Sequence, residues 1–358
     1  MKIKQLVKRW LKSEQVSQLK NFKGVMRSRL YGVLTKSRRL TSLYWGIFST
    51  SFTNEHYGVV YGISRYAREL CRPHETQYLL RRNIHRLEKG LLMRARRDVF
   101  ALDYIEETVD RYVQIVTNTC SGDTVVGELR WAHDVLVKYF SVVAVHPVID
   151  RARARFESFS STPLAELTCV PYKRNLDSPA TVTYDDFLAL SQRRRSVRWY
   201  LPQPVPREII DKAIAAAALA PSACNRQPFE FRVFDEPALV QQISPLPGGT
   251  TGFYENFPVI VVLVGKLSAY FAPMDRHLIY IDASLAAMAF MYALETLGLS
   301  SCAINWHDEG SREKKMARLL KLTPDERVVM LISLGYPDPE GMVAYSDKKP
   351  LDLLRRYN

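Results

Sequence analysis

Cysteine is scarce in this chain of 358 residues: five thiols, at Cys71, Cys120, Cys169, Cys224 and Cys302, with no CxxC pair and no cysteine–histidine group at metal-ligand spacing. That argues against a disulfide framework and against a zinc site, and fits reduced thiols in the cytoplasm. No apolar run long enough for the core of a signal peptide follows the basic N-terminus, so export is not expected. The longest apolar-looking stretch, 40–63, is interrupted by Asn54, Glu55 and His56, which a bilayer core penalises; no transmembrane segment is expected. A Ser-His-Asp order and a dinucleotide glycine fingerprint are also missing from the C-terminal half. Acidic residues are rare in the first hundred positions, 6 against 22 Lys and Arg, so that segment carries a net +16 while the whole chain carries +13.

What is present suits an ordinary folded protein. Hydrophobic residues make up 47% and charged residues 24%, and the length is about twice that of one common domain. The basic first hundred residues could attract nucleic acid, a membrane surface or an acidic partner, but solvated helix faces explain them equally well, and no nucleic-acid binding is expected. Ile3, Leu6, Val7, Trp10 and Leu11 recur at helical spacing among lysines and arginines, an amphipathic pattern whose apolar side packs on protein more readily than on lipid. Between 66 and 116 helical spacing returns, with Leu79, Ile84, Leu87 and Leu91 mostly three or four residues apart. Within that stretch His85, Glu88 and Lys89 read as charge pairing along a helix surface and not as a catalytic group.

Residues 159–179 collect Ser, Thr, Pro and Asn without a period, which marks a linker. The expected organisation is a mostly helical basic region at 1–180 and a second domain at 181–358. The second opens with Thr183 and Asp186, placed as helix cap and third helical residue, and a further helix is expected over 206–219. FEFRVFDE (229–236), PVIVVLVGK (258–266), SCAINW (301–306) and RVVMLISLGYP (327–337) are β-branched runs bounded by Gly and Pro, hence strands, with a helix at 279–297 between two of them. Strands interleaved with helices give a layered fold with both sheet faces covered.

Two motifs carry chemistry. At Arg193-Arg194-Arg195-Ser196-Val197-Arg198, guanidinium forks match phosphate oxygens and a hydroxyl adds a neutral donor, so a monophosphate could be held without a glycine-rich loop. The second is Ala220-Pro221-Ser222-Ala223-Cys224-Asn225-Arg226-Gln227-Pro228, which lies between a helix and a strand. In order and spacing, the pair resembles the opening of the nitroreductase flavoprotein family, a basic R-R-S-x-R element followed by P-S-x-x-N-x-Q-P. The resemblance covers the C-terminal half only and implies an α+β, nitroreductase-like α-β-α fold behind a mostly helical N-terminal extension.

The resemblance also implies FMN as cofactor and a homodimer with the flavin at its interface. By it, Arg194, Arg195, Ser196 and Arg198 hold the phosphate and ribityl chain, with Lys348 as a further cation. Pro221, Ser222, Asn225 and Gln227 reach the flavin from the partner subunit, and the backbone around Ile304 and Asn305 lies beside the ring. Ala283, Ser284, Ala286, Ala287 and Ala289 suit a close helix contact, read as dimer interface. Cys224 reads as a small buried filler. The expected function is transfer of two electrons from NAD(P)H to a small-molecule acceptor, with no side-chain acid or base required. The alternative is a non-catalytic flavin-binding or scaffold dimer whose basic N-terminal half binds an anionic polymer or partner. The segment RRNIHRLEKGL further resembles members of this family from surface-polysaccharide gene neighbourhoods.

Overall fold

The computed structural model describes residues 22, 25, 26, 28–69, 77–118, 123–159, 167–177 and 179–358, with backbone alone at 123–128. The amphipathic pattern at Ile3 to Leu11, together with Cys71, Cys120 and part of the expected linker, lies outside the described residues. The chain divides into two compact units, Met1–Tyr57 and Gly58–Asn358.

In the first unit Ser37 caps the short helix α1 (Arg38–Leu43) by accepting the Leu40 N–H at 3.4 Å, and a π-helical turn follows at Tyr44–Phe48. Tyr31, Tyr44, Trp45 and Phe52 make ring contacts with centroids 5.0 to 6.3 Å apart, yet no described residue of this unit is buried.

The second unit continues from helix α2 (Thr53–Glu69) into α3 (Tyr78–Leu92), α4 (Ile105–Asn118), α5 (Asp123–Val142) and α6 (Pro147–Glu157). Helices α3 to α6 share a core of their own, with Leu80, Ile84, Leu87, Ile105, Val109, Leu136, Tyr139, Ile149 and Phe156 in one apolar cluster. The helical period at 79–91 is therefore real, and His85 does pair with Glu88 along the helix at 3.5 Å. Asp134 on α5 ties down the segment that follows, accepting the Thr168 and Cys169 backbone N–H groups at 3.0 and 2.9 Å. Burial alone would raise that carboxyl; those two donors and His133 outweigh it and hold it below its usual range.

Helix α7 (Tyr184–Arg193) opens with a capping box, Thr183 and Asp186 each bonding the other's backbone, as the sequence predicts. The elements that follow are α8 (Arg207–Ala217), β1 (Phe229–Phe234), α9 (Pro237–Ile243), β2 (Val259–Lys266), α10 (Leu278–Thr296), β3 (Ser300–Asn305), α11 (Gly310–Leu320), β4 (Glu326–Gly335) and α12 (Leu351–Leu354). The four strands form one antiparallel sheet in the order β1-β2-β4-β3. Alternation along β2 assigns its two faces: Val259, Val261 and Leu263 pack with α8 and α10, whereas Ile260, Val262 and Val264 pack with α9 and α11. The result is an α+β domain with helices on both sheet faces, preceded by a helical N-terminal part.

Two features of α10 correct the sequence reading. Ala283, Ala286 and Ala287 are fully buried inside the chain, where they pack with Ala213 and Ala217 of α8. Small side chains on both helices let the two approach closely, so this stripe is intramolecular core; Ser284 alone of the group is exposed. Residues 273–296 are also the one described stretch long and apolar enough to cross a membrane by length and composition, and nine residues of α10 are buried in the chain itself.

Gly58 and Gly62 lie one turn apart on α2, facing the turn after β2. A Cβ on Gly62 would lie 2.9 Å from both the carbonyl carbon and the Cβ of Leu267, and one on Gly58 would lie 2.7 Å from the Pro324 carbonyl oxygen. Alanine's better helix propensity is worth about 1 kcal/mol, whereas overpacking against backbone costs roughly 1–3 kcal/mol. Gly62→Ala is therefore expected to lower the melting temperature of the whole unit, as read by thermal denaturation, and an unchanged or raised midpoint would contradict this contact.

Candidate functional site

The Arg-Ser-Arg segment is hung on the free edge of the sheet. Ser196 bridges Ser301 of β3 in parallel, Val197 donates its N–H to the Ser301 carbonyl at 3.1 Å, and Tyr200 bridges Pro337 just past β4. Tyr200 locks the segment from inside, its hydroxyl lying 2.9 Å from Ser333 Oγ and donating to the Val197 carbonyl at 2.8 Å. The chain therefore leaves α7 and runs along β3 with a fixed register.

Beside it opens a cavity of about 450 Å³, lined by Arg194, Arg195, Ser196, Arg198 and Lys348, together with Ser191, Gln192 and residues 344–347. Four cations face one carboxylate, Asp347. Among the described residues no carboxylate pairs with Arg194, Arg195 or Arg198, and the buried Arg194 Nε has no hydrogen-bond partner. Arg193, by contrast, is spent on Glu295 at 3.1 Å. Arg195 donates through Nη2 to the carbonyls of Ala344 and Tyr345, an anchor that holds the segment bearing Lys348 over the cavity. A buried guanidinium nitrogen with no acceptor among the described residues, beside arginines paired with no carboxylate, has the chemistry to hold an anion. Cys302, next to Ser301 on β3, is buried, and burial pushes its thiol up despite the opposing pull of Arg198, Ser196 and Arg194, which disfavours the thiolate.

The second motif folds into a strained loop. Cys224, Asn225 and Gln227 all adopt left-handed backbone, with φ of 53°, 52° and 49°, a conformation costing an L-residue about 1–2 kcal/mol each. Local bonds offset that strain. Ala223 donates its N–H to Asp282 Oδ2 at 2.9 Å, Gln227 its N–H to Ser222 Oγ at 3.0 Å, and Gln227 Nε2 donates to the Ala218 carbonyl at 3.2 Å. A further clamp comes from α3: Arg81 donates to the Asn225 carbonyl at 2.7 Å and to Gln227 Oε1 at 3.3 Å. Beneath the loop, burial pushes the Asp282 carboxyl up, against the Ala223 N–H, the Tyr270 hydroxyl and Arg226.

The two motifs do not meet within one chain, since none of Pro221, Ser222, Asn225 or Gln227 lines the arginine cavity. Within the loop the residues divide. Both polar ends of the Gln227 side chain are engaged inside the chain, and Ser222 Oγ accepts the Gln227 N–H. The Asn225 carboxamide makes no hydrogen bond among the described residues. Cys224 is only half-buried and left-handed, a turn residue and not the buried filler expected of it. On β3 the Ile304 side chain is buried in the core, so only its backbone is available, while Asn305 is exposed. Lys348 joins the arginines in the cavity lining.

The sequence reading did not identify Arg81. Its signal was a charged residue three positions before Ile84, on the buried stripe of an amphipathic helix, where a solvated arginine does not belong.

One surface is unusually apolar. Helix α7 buries none of its residues; Phe187 and Leu188 stay exposed, as do Ile281 and Leu285 on the neighbouring α10. The two helices are joined by Phe187 against Tyr292, with ring centroids 5.5 Å apart, and by Ser191 Oγ 3.0 Å from the Tyr292 hydroxyl.

Comparison with known proteins returns the same region. The family described as "Nitroreductase family" matches residues 192–250 and 235–336. A candidate NADH dehydrogenase/NAD(P)H nitroreductase of Archaeoglobus fulgidus is 30% identical over 163 residues, 44% of this chain and 88% of the relative. Iodotyrosine deiodinase 1 of Sus scrofa is 26% identical over 195 residues, 47% of this chain and 66% of its own length, so the chain spans just under two thirds of that relative. Among solved structures, an FMN-dependent nitroreductase from Clostridium difficile is 26% identical with a TM-score of 0.42, over 48% of this chain and 99% of the other.

Proposed function

The chain belongs to the nitroreductase family through its C-terminal half, and from that premise we propose that it is an FMN-dependent oxidoreductase that passes two electrons from NAD(P)H to a small-molecule acceptor and acts as a homodimer. The observation that carries the reading is the arginine cavity, where, among the described residues, the buried Arg194 Nε has no partner and no carboxylate pairs with Arg194, Arg195 or Arg198. Those groups fit a phosphate monoester. Arg194, Ser196 and Arg198 would hold it, Lys348 would add charge from the other wall, and Arg195 would bind with the donors left over from the Ala344 and Tyr345 carbonyls. Bound FMN would supply the redox chemistry, storing two electrons between donor and acceptor.

The chain's own residues have a narrower task. Asn225, with its carboxamide uncommitted and its backbone fixed, would donate to or accept from the polar edge of a flavin held mainly by the partner. Ser222 and Gln227 would act chiefly by holding that loop, and Asn305 would lie at the exposed end of β3 beside the ring. Pairing through the apolar face of α7 and α10 would bring the loop of one protomer to the cavity of the other, which a single chain does not do. No side-chain acid or base is proposed, because bound FMN would store both electrons and solvent would supply the protons.

A pair of variants tests the loop's part. Asn225→Ala and Asn225→Gly both remove the carboxamide, but glycine accepts the left-handed backbone without strain. Both are expected to weaken FMN binding about tenfold, the scale of one lost hydrogen bond with its partner left unsatisfied, while sedimentation still shows the dimer. A loss confined to the alanine variant would make Asn225 a backbone residue only and overturn its assignment.

A further inference from the structure

We propose that Arg81, in the helical N-terminal part, is a positioning residue for the cofactor loop at 222–227; the flavin side of this proposal rests on the FMN reading above. Its anchor is rigid. Leu80, Ile84 and Leu87 fix α3 in the helical core, and Arg81 itself is buried. Its guanidinium lies 5.4 Å from the Trp131 ring centroid, and Trp131 is held in turn by donating its indole N–H to Glu88 Oε1 at 3.1 Å, one helix face along from Arg81. A long side chain that would sample many rotamers in solvent is thus set in one direction before it meets the loop.

What it meets is specific to a fork. Nε reaches the Asn225 carbonyl oxygen at 2.7 Å, and Nη2 reaches Gln227 Oε1 at 3.3 Å. These acceptors belong to two of the three left-handed residues of the loop. Between them the buried Arg226 sets its guanidinium 4.8 Å from the Tyr270 ring centroid. Arg81 thus holds the backbone of one left-handed residue and the side chain of another on either side of Arg226 in the chain. Two donors fixed in direction on one planar group hold both acceptors at once; a lysine ammonium on its flexible stem lacks that rigid fork. Arg81 therefore links the helical part, which the family's chemistry does not require, to the backbone that presents Asn225. On this account the helical part is a fixed support for the cofactor loop.

The test uses the full-length chain with two readouts, amide hydrogen exchange at residues 223–227 without FMN, and FMN affinity by flavin fluorescence titration. The variants are Arg81→Ala, Arg81→Lys and, as a control on the same helix, Arg86→Ala, which removes an exposed pair with Asp103. Arg81→Ala and Arg81→Lys are expected to speed exchange in the loop and to weaken FMN about tenfold or more, while Arg86→Ala changes neither. Restoration by lysine would reduce Arg81 to a source of charge and overturn the positioning role. Unchanged exchange in Arg81→Ala, or faster exchange with unaltered affinity, would overturn it as well, in both cases with the FMN reading intact. Should Arg81→Ala fail to fold, Arg81→Lys carries the same two readouts. A wild-type chain that takes up no FMN overturns the flavin reading itself, and this proposal with it.

Discussion

Replacing Arg194 and Ser196 together by alanine is expected to strip FMN from the protein. Arg194 brings a buried Nε with no acceptor among the described residues, and Ser196 is held against β3 with its side chain at the cavity wall. Charge-assisted hydrogen bonds of this kind contribute about 1.5–3 kcal/mol each, so losing two contacts weakens binding by roughly a hundred- to ten-thousandfold. Fluorescence titration with FMN reads the change directly. Arg193→Ala is the control: it removes a neighbouring, largely exposed charge that already pairs with the buried Glu295 and does not line the cavity, so affinity should stay within about a factor of two of wild type, the scale of a solvent-screened charge. Equal retention of flavin in the double variant and the control would remove the phosphate assignment.

The second large effect concerns the apolar face of α7 and α10. Ile281 and Leu285 lie one turn apart on α10, about half exposed at 53% and 46%, beside Phe187 and Leu188 of a helix that buries nothing. If two copies close over this face, Leu285→Arg places an unpaired charge in a dry contact, at a cost of about 3 kcal/mol or more, and the dimer dissociation constant rises more than a hundredfold. The variant is then expected to sediment as a monomer and to lose FMN as well, although Leu285 lines neither the cavity nor the loop. That joint loss is the signature of a site completed by a partner. A Leu285→Arg protein that stays dimeric and yellow would place the interface elsewhere.

Much of this architecture was legible in the sequence because its signals are local. The four strands are β-branched runs that alternate across a sheet covered on both faces, and each lies within two residues of its predicted ends. Thr183 and Asp186 form the capping box their spacing announces. The Arg-Ser-Arg element and Lys348 are more than 140 residues apart, yet they do line one cavity, a pairing that came from the family resemblance and not from periodicity.

What remained hidden depended on which neighbour a face meets. The alanines of α10 show that a helix contact is close, but the sequence does not say whether the other helix is α8 or a second chain; the fold puts α8 there. Cys224 was misread because left-handed backbone at a non-glycine residue has no strong sequence mark, and its φ of 53° sits in a loop held by the Ala223 N–H donated to Asp282, the Gln227 amide donated to Ala218 and the Arg81 donation to the Asn225 carbonyl. Gln227 looked like a ligand contact for the same reason: its commitment to Arg81 and to Ala218 spans two segments far apart in the chain. Arg81 was the most consequential omission, a cation on the buried stripe of α3 that only its three-dimensional setting explains.

The most direct test of the central claim is the visible absorption spectrum of the purified full-length protein after incubation with FMN and removal of free flavin, followed by anaerobic addition of NADH or NADPH. The account predicts about one bound FMN per chain in a dimer, with flavin bands that bleach when the pyridine nucleotide is added. A colourless protein that retains no FMN at any loading would contradict it.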